Sequence, residues 1–252
     1  MGRGGPKLHD ARRRELARAF EAGGEHYERV RPGYPPESAE WLIPAGARTA
    51  VDFGAGTGKF AALLLERGLE VTAVDPSADM LAQLSRSHPA VRCVVAPAEA
   101  TGLPDGCADL VVAAQAWHWF DHAAATREAA RLLRTGGRAG LVWNQLDTSV
   151  PWVHRLTRIM HAGDVHRPGY RPPTGPELTG WESALFPWED RTTPEGIVEL
   201  AQSRSYYLRA DAHHRARVED NLAWYLYEHL GHAPGESLAL PYLTQAWRAA
   251  AR

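Results

Sequence analysis

Cysteine is scarce. Cys93 and Cys107 are the two in a chain of 252 residues. That number excludes a disulfide framework and a four-cysteine zinc site, and it points to a reducing, cytoplasmic setting. Lysine is nearly absent too, with Lys7 and Lys59 against many arginines, and the formal net charge is −2. Such a balance argues against a broad electrostatic footprint for nucleic acid or an anionic membrane. No window approaches the ~20 apolar residues that a membrane-spanning helix needs. The first residues, MGRGGPKLHDARRREL, are basic but lead into no apolar stretch, so no secretory signal is expected. With 44% hydrophobic residues, the composition is globular. The length suits one large α/β domain, or a domain with a cap, buried well enough to need no staple.

Regular alternation dominates residues 49–143. Thr49–Phe53, Glu70–Val74, Val91–Ala96, Asp109–Ala114 and Arg138–Trp143 read as short apolar strands. Between them lie helical patterns: Lys59–Arg67 closed by Gly68, Ser77–Ser87, and a helix capped by Asp121 that runs to Arg134 before Gly136-Gly137. Apolar strands alternating with helices mean a parallel sheet covered on both faces. Ahead of it, Asp10–Arg31 has a helical stripe. RPGYPP (Arg31–Pro36) forms a turn, because three prolines forbid a regular ladder. After Asp147 the periodicity weakens among prolines. Helices are expected at Val153–Ala162, Pro194–Gln202 and Ala212–His229, with strands at Leu185–Trp188 and Ser237–Trp247. The division is then an N-terminal tail and lid helix over 1–35 and a cofactor core over 36–147. A cap segment spans 148–183, and a closing part of the core spans 184–252.

Asp52-Phe-Gly54-Ala55-Gly56-Thr-Gly58-Lys59 lies between a strand and a helix. Glycines there allow a tight turn and close approach of backbone to ligand at a helix N-terminus. Asp75, at the end of the next strand, suits two ribose hydroxyls. The dinucleotide pattern G-x-G-x-x-G fails, because Lys59 occupies its third glycine position. The P-loop pattern fails as well, because Phe60 follows Gly58-Lys59 where a hydroxyl residue must hold magnesium. A ligand that joins an amino acid to a nucleoside without phosphate fits better. Asp52 can serve its ammonium, directly or through water, whereas it would repel a pyrophosphate. S-adenosylmethionine (SAM) is such a ligand.

These segments, with Ala73-Val-Asp75-Pro76-Ser77, Met80-Leu81, Ala98-Glu99, Leu103-Pro104 and Asp109–Ala114, resemble the ordered motifs of class I SAM-dependent methyltransferases. Ala114-Gln-Ala-Trp-His-Trp-Phe-Asp121, Arg134-Thr-Gly-Gly137, Leu141-Val-Trp-Asn144 and Tyr27-x-x-x-Arg31-Pro-Gly-Tyr-Pro35 are similar to the small-molecule members of the trans-aconitate and ubiquinone-biosynthesis type. The resemblance covers residues 20–145 well and the C-terminal third in outline. It implies a Rossmann-like, doubly wound sheet of seven strands in the order 3-2-1-4-5-7-6, with strand 7, around Pro241–Trp247, antiparallel. It also implies a helical N-terminal lid and a cap insertion.

The resemblance implies a cofactor site as well. Gly54, Ala55, Gly56 and Gly58 would pass under the methionyl group, beside Asp52. Asp75 and Pro76 would hold the ribose, and Met80 would pack near the adenine. Ala98 would offer its N–H to the adenine ring. Pro97 stands where many relatives have an acidic residue, so Glu99 takes the adenine amino group, or backbone or water does. Gln115 and Ala116 would lie under the sulfonium. Tyr27 and Arg31 would close over the cofactor, Arg31 pairing with its carboxylate or with an acidic substrate, or standing solvated beside a turn.

Trp117-His118-Trp119-Phe120 follows the fourth strand, where doubly wound folds open their ligand crevice. His118 is the candidate general base for a hydroxyl or activated carbon, the alternative being a structural hydrogen bond. Tyr34, Trp117, Trp119 and Trp143 are candidate walls of the acceptor site, with core packing the competing role for Trp119 and Phe120. No histidine pair reaches a recognised metal spacing, and His161, His166, His229 and His232 read as surface residues. Ser203, Ser205, Tyr206 and Tyr207 have no orientation assigned by the sequence. The function expected is methyl transfer from SAM to a small molecule, with S-adenosylhomocysteine as product. Two other functions use the same pocket: a cyclisation or isomerisation aided by bound SAM, and a non-catalytic SAM-binding partner. An NAD(P) oxidoreductase is a more distant alternative. Monomer and homodimer are both compatible with the sequence.

Overall fold

The computed structural model describes residues 30–161 and 170–251. The helix expected over Asp10–Arg31, Tyr27 and His166 fall in whole or in part outside these residues. The elements are α1 (Pro36–Leu42), β1 (Thr49–Phe53), α2 (Lys59–Glu66), β2 (Glu70–Asp75), α3 (Ala78–Ser87), β3 (Arg92–Val95), β4 (Ala108–Ala114), a 3₁₀ turn at Trp117–Trp119, and α4 (His122–Leu132). There follow β5 (Leu133–Leu146), α5 (Pro151–Ile159), β6 (Leu178–Thr192), α6 (Pro194–Gln202), α7 (Ser205–Arg209), α8 (Ala212–Ala223), a π turn at Trp224–His229, and β7 (Leu238–Ala251).

The strands form one seven-stranded sheet in the order β3-β2-β1-β4-β5-β7-β6. β1 through β5 pair in parallel, while β7 runs antiparallel to both β5 and β6. This is the order that the resemblance implies. β1 and β4 are buried almost throughout, as a strand covered on both faces must be, whereas the edge strand β6 alternates in exposure. Phe60, Ala61 and Leu64 of α2 and Leu81 and Leu84 of α3 cover one face together with Leu42. Ala125, Ala129 and Leu132 of α4 cover the other, with Trp117, Trp143 and Trp247. A buried leucine of this kind contributes about 1.5–3 kcal/mol relative to leaving it exposed. A third apolar cluster joins Leu146, Trp188, Leu240 and Tyr242, at the far ends of their strands, to α5, α6 and α8.

Local signals explain most boundaries. Ser77 and Asp121 cap α3 and α4 by accepting the N–H groups of Met80 (3.3 Å) and Ala124 (2.9 Å). Gly68 takes a left-handed φ of +79° just past α2. Elsewhere tertiary pairing moves the expected ends. α4 stops at Leu132 rather than Arg134, because Leu133 already pairs with Ala108. The next pair is Leu110 with Arg138, so residues 134–137 bulge from the ladder. β6 is far longer than Leu185–Trp188 and begins at Leu178, ahead of the boundary drawn at 183. It pairs along nearly all of β7, and an edge strand tolerates Pro187 within its ladder. The helix expected over Ala212–His229 is α-helical to Ala223 and then widens into the π turn.

Candidate functional site

β1, β2 and β4 end together, and their C-terminal ends carry Asp52, Asp75 and Gln115 next to the switch in strand order. The glycine turn folds over β2: the N–H groups of Gly54 and Ala55 both donate to Val74 O, at 2.8 and 3.2 Å. Its three glycines have φ of +64°, +55° and +92°. At two of them close approach adds a second reason. A Cβ on Gly54 would lie 2.6 Å from Ala116 Cβ, and one on Gly58 would lie 2.7 Å from Leu84 Cδ1. The turn is therefore wedged between the β4 end and α3, and Met80 Sδ sits 3.6 Å from where a Cβ of Gly56 would be.

Two carboxylates flank this turn in different states. Asp75 Oδ2 accepts the N–H of Gly56 (2.9 Å), and its Oδ1 accepts that of Ser77 (2.8 Å). Those bonds orient it and fix the loop. Asp52 is 1% exposed, and neither of its oxygens makes a hydrogen bond. Burial pushes its pKa up to about 8, the nearby Asp75 charge adds to the rise, and the backbone N–H of Ala61, too poorly placed to make a hydrogen bond, offsets part of it. A buried carboxyl group left in this condition is a site prepared for a cation or a donor.

Gln115 has a φ of +54°, rare for a residue with a side chain. Its N–H donates to Val142 O (2.8 Å) and its Nε2 to Asn144 O (2.9 Å), which hold the strained conformation in place. Ala116 beside it is buried against Gly54. Ala98 is buried in the core below, while Glu99 Oε1 accepts the Asp121 N–H at 2.8 Å and so helps cap α4.

The expected acceptor walls divide. His118 is exposed in the 3₁₀ turn, with its ring tilted against Trp119 at a centroid separation of 4.7 Å. Trp117 is a core residue: it is 2% exposed, stacks on His122, and donates its indole N–H to Pro173 O (2.9 Å). Trp143 is also in the core, edge-on to Trp247 (5.1 Å) and Tyr170 (6.4 Å). Its strand position explains this, since alternate β5 side chains face opposite layers and Asn144 faces away from the layer that holds Trp143. Tyr34 packs edge-on to Phe60 of α2 at 5.1 Å. Tyr207 binds Glu219, Ser203 Oγ donates to Leu200 O (2.7 Å), and Tyr206 stacks on His161. Among the described residues, no group of three histidines, cysteines or acids is placed to hold a metal ion.

A feature missed in the sequence ties the two ends of the chain together. Asn144 Nδ2 donates to Gly33 O (2.6 Å), and Asn144 Oδ1 accepts from Thr244 Oγ1. Thr244 Oγ1 in turn accepts the indole N–H of Trp188 (2.8 Å). Arg31 Nη2 donates to Ser203 O (3.1 Å). Residues 31–33 thus cross the C-terminal edge of the sheet as a strap, anchored to β5 on one side and to the end of α6 on the other. A lone asparagine after the apolar run Leu141-Val-Trp was the available signal.

The glycine turn, the paired acids and the strand order together define a doubly wound nucleoside-binding enzyme fold. Residues 51–141 match the family described as "Methyltransferase domain". An uncharacterized methyltransferase of Mycobacterium tuberculosis is 42% identical over 238 residues, which is 94% of this chain and 97% of that protein. A protein of Anaeromyxobacter dehalogenans, provisionally described as a type II methyltransferase, superposes with a TM-score of 0.68 at 30% identity, covering 88% of this chain and 97% of that one. The phosphoethanolamine N-methyltransferase 2 of Haemonchus contortus shares the fold at a TM-score of 0.52 and 14% identity, covering 97% of this chain and 60% of that one. The chain belongs to the class I SAM-dependent methyltransferase family. The residues present fit SAM: a buried carboxyl group without a hydrogen bond, a turn whose three glycines take left-handed φ, and a second acid oriented beyond it by backbone N–H groups.

Proposed function

We propose that the chain methylates a small molecule, and that its cofactor site is the one built around Asp52, Gly54, Ala55, Gly56, Gly58, Asp75 and Gln115. When bound, SAM supplies an electrophilic methyl group on a sulfonium. Asp52 accepts the ammonium of its amino acid end, directly or through water, and the three glycines let the backbone approach. Asp75, with Pro76 behind it, receives the ribose hydroxyls through its remaining lone pairs. Met80 and Ala98 border the adenine, and the second carboxylate oxygen of Glu99 receives its amino group. Gln115 and Ala116 form the floor under the sulfonium, and Arg31 closes the N-terminal side.

Displacement at the methyl carbon disperses charge rather than creating it, so these residues act chiefly by aligning the reactants and excluding water. His118 stands beside the β4 end to take a proton from a hydroxyl or carbon acid; a carboxylate acceptor would need no base. The observation that carries the small-acceptor reading is the strap: anchored on both sides, it crosses the edge where an extended polymer would have to lie. The test is calorimetry of cofactor-stripped protein with SAM, S-adenosylhomocysteine and NADH, followed by an acceptor screen that reads S-adenosylhomocysteine formation. Micromolar binding of the first two and turnover with a small acceptor are expected. Binding of NADH alone, or turnover only with nucleic acid or protein, overturns the reading.

A further inference from the structure

A chain of hydrogen bonds runs from the edge strand to the strap. The Trp188 indole N–H donates to Thr244 Oγ1 (2.8 Å), Thr244 Oγ1 donates to Asn144 Oδ1, and Asn144 Nδ2 donates to Gly33 O (2.6 Å). Asn144 and Thr244 stand opposite each other on β5 and β7, and Trp188 reaches Thr244 diagonally from β6, where Phe186 is its direct partner. Thr244 is fully buried, and Asn144 is nearly so.

The chain has a single polarity. An indole nitrogen only donates, and a backbone carbonyl only accepts. Trp188 therefore makes the Thr244 oxygen an acceptor on one side, and the hydroxyl proton goes to Asn144 Oδ1. That turns Asn144 Nδ2 toward Gly33. The reverse amide orientation would set Asn144 Oδ1 against Gly33 O, two acceptors with no proton between them, and would leave the Thr244 proton unused. The chain also ends on the strap and not in the core. Next to Gly33, Tyr34 packs edge-on to Phe60, two residues past the last glycine of the cofactor turn. Asn144 O accepts the side-chain amide of Gln115 on the β4 side. The strap segment so held spans from the glycine turn's helix to β5.

We propose that Thr244 and Trp188 are positioning residues: they orient the Asn144 amide so that it latches the strap at Gly33 in the place that retains the cofactor. They act through Asn144 and not by contact with a reactant. The consequence for the cofactor rests on the methyl-transfer reading.

Dissociation of radiolabelled S-adenosylhomocysteine from the full chain, chased with unlabelled compound, tests this. Thr244→Val keeps the shape and removes the hydroxyl, and it should speed release by ~10-fold or more, the effect of one buried polar group left unpaired. Thr244→Ser should restore release to near the wild-type rate. Trp188→Phe removes the indole donor; it should speed release as well, and the double variant should be no faster than Thr244→Val, because both act on one chain. If Thr244→Val does not fold, Trp188→Phe carries the reading. Leu132→Ala, in the core at the last residue of α4, should lower stability without changing the release rate. Wild-type release in Thr244→Val and Trp188→Phe, no rescue by serine, or equally fast release in Leu132→Ala overturns the latch. Failure of the wild-type protein to bind S-adenosylhomocysteine overturns the methyl-transfer reading instead. The latch is then read by hydrogen exchange of the Asn144 side-chain amide in NMR spectra, expected to be ~10-fold or more faster in Thr244→Val and near wild type in Thr244→Ser; equal exchange in all three overturns it.

Discussion

Replacing Asp52 by asparagine should stabilise the cofactor-free protein, and the gain should grow with pH. In the native state the carboxyl group titrates at about 8, against 3.8 without its surroundings, because burial and then Asp75 oppose its ionisation. The sign follows from linkage. Below pH ~4 both folded and unfolded chains carry the proton, and there is no penalty. Between ~4 and 8 the unfolded chain releases it while the folded chain keeps it, so native stability falls as pH rises, then levels off. At 1.36 kcal/mol per pKa unit, the loss accumulated by pH 7 is on the order of 4 kcal/mol. The asparagine side chain has no proton to lose and escapes this. The cofactor reverses the balance, because an ammonium beside Asp52 favours the carboxylate. SAM binding near pH 7 should then release a proton, and its affinity should rise with pH up to about 8. Urea or thermal melts of wild type and Asp52→Asn from pH 4 to 9 read the first effect. Calorimetry in buffers of different ionisation enthalpy reads the second. A stability difference that stays flat from pH 5 to 8, or binding that releases no proton at pH 7, would refute the reasoning.

Gly58→Ala should destabilise the fold by about 2–4 kcal/mol, from left-handed strain and overpacking against Leu84 2.7 Å away, as read in a urea titration. His118→Gln should lower turnover by ~10²-fold or more if the acceptor must lose a proton, with SAM affinity unchanged by calorimetry, because its ring is exposed and holds up no core. Asn144→Ala removes the bonds to Gly33 and Thr244 and should lose about 2–4 kcal/mol in denaturant melts. Asn144→Asp, which still accepts from Thr244 but cannot donate to Gly33, should recover part of that loss; an equal loss in both variants would show that the Thr244 bond contributes nothing, and full recovery in Asn144→Asp that the strap bond contributes nothing.

The segment proposed to hold the cofactor was legible as a turn because it is local. Asp52, the three glycines, Asp75 and Gln115 come from one stretch of alternating strands and helices, where each turn residue declares its own backbone requirement. The strand order was legible through resemblance, since periodicity alone does not say that β7 inserts between β5 and β6. The acceptor half was harder to read. Trp143 looked like a wall because aromatic residues suit both cores and pockets, and only the two-residue alternation of β5, once its register is known, turns it toward Trp247 and leaves Asn144 facing the other layer. β6 was read over Leu185–Trp188 alone, and its full length follows from pairing along β7. Tyr242 and Trp188 carried no motif at all. They come from two strands far apart in sequence, and their meeting depends on long-range pairing.

The anchored strap has a consequence for how the two halves communicate. Its anchor on β5 is Asn144, whose own carbonyl accepts the side-chain amide of Gln115, the strained residue beside the glycine turn. Through Thr244, Asn144 also touches Trp188, the wall against which Tyr242 stacks. One asparagine is therefore hydrogen-bonded toward Gln115, the strap and Trp188 together. A change in strap position draws on bonds that also set Gln115 and Trp188. Because a buried polar network is stable only when all its members are satisfied, partial opening leaves Asn144 or Thr244 unpaired at about 1–3 kcal/mol each. That cost favours two arrangements of the edge, bonded or released, over a continuum. On the proposed cofactor placement, a cofactor beside Gln115 and an acceptor bound under the strap are each expected to favour the bonded one. Each should therefore tighten the binding of the other.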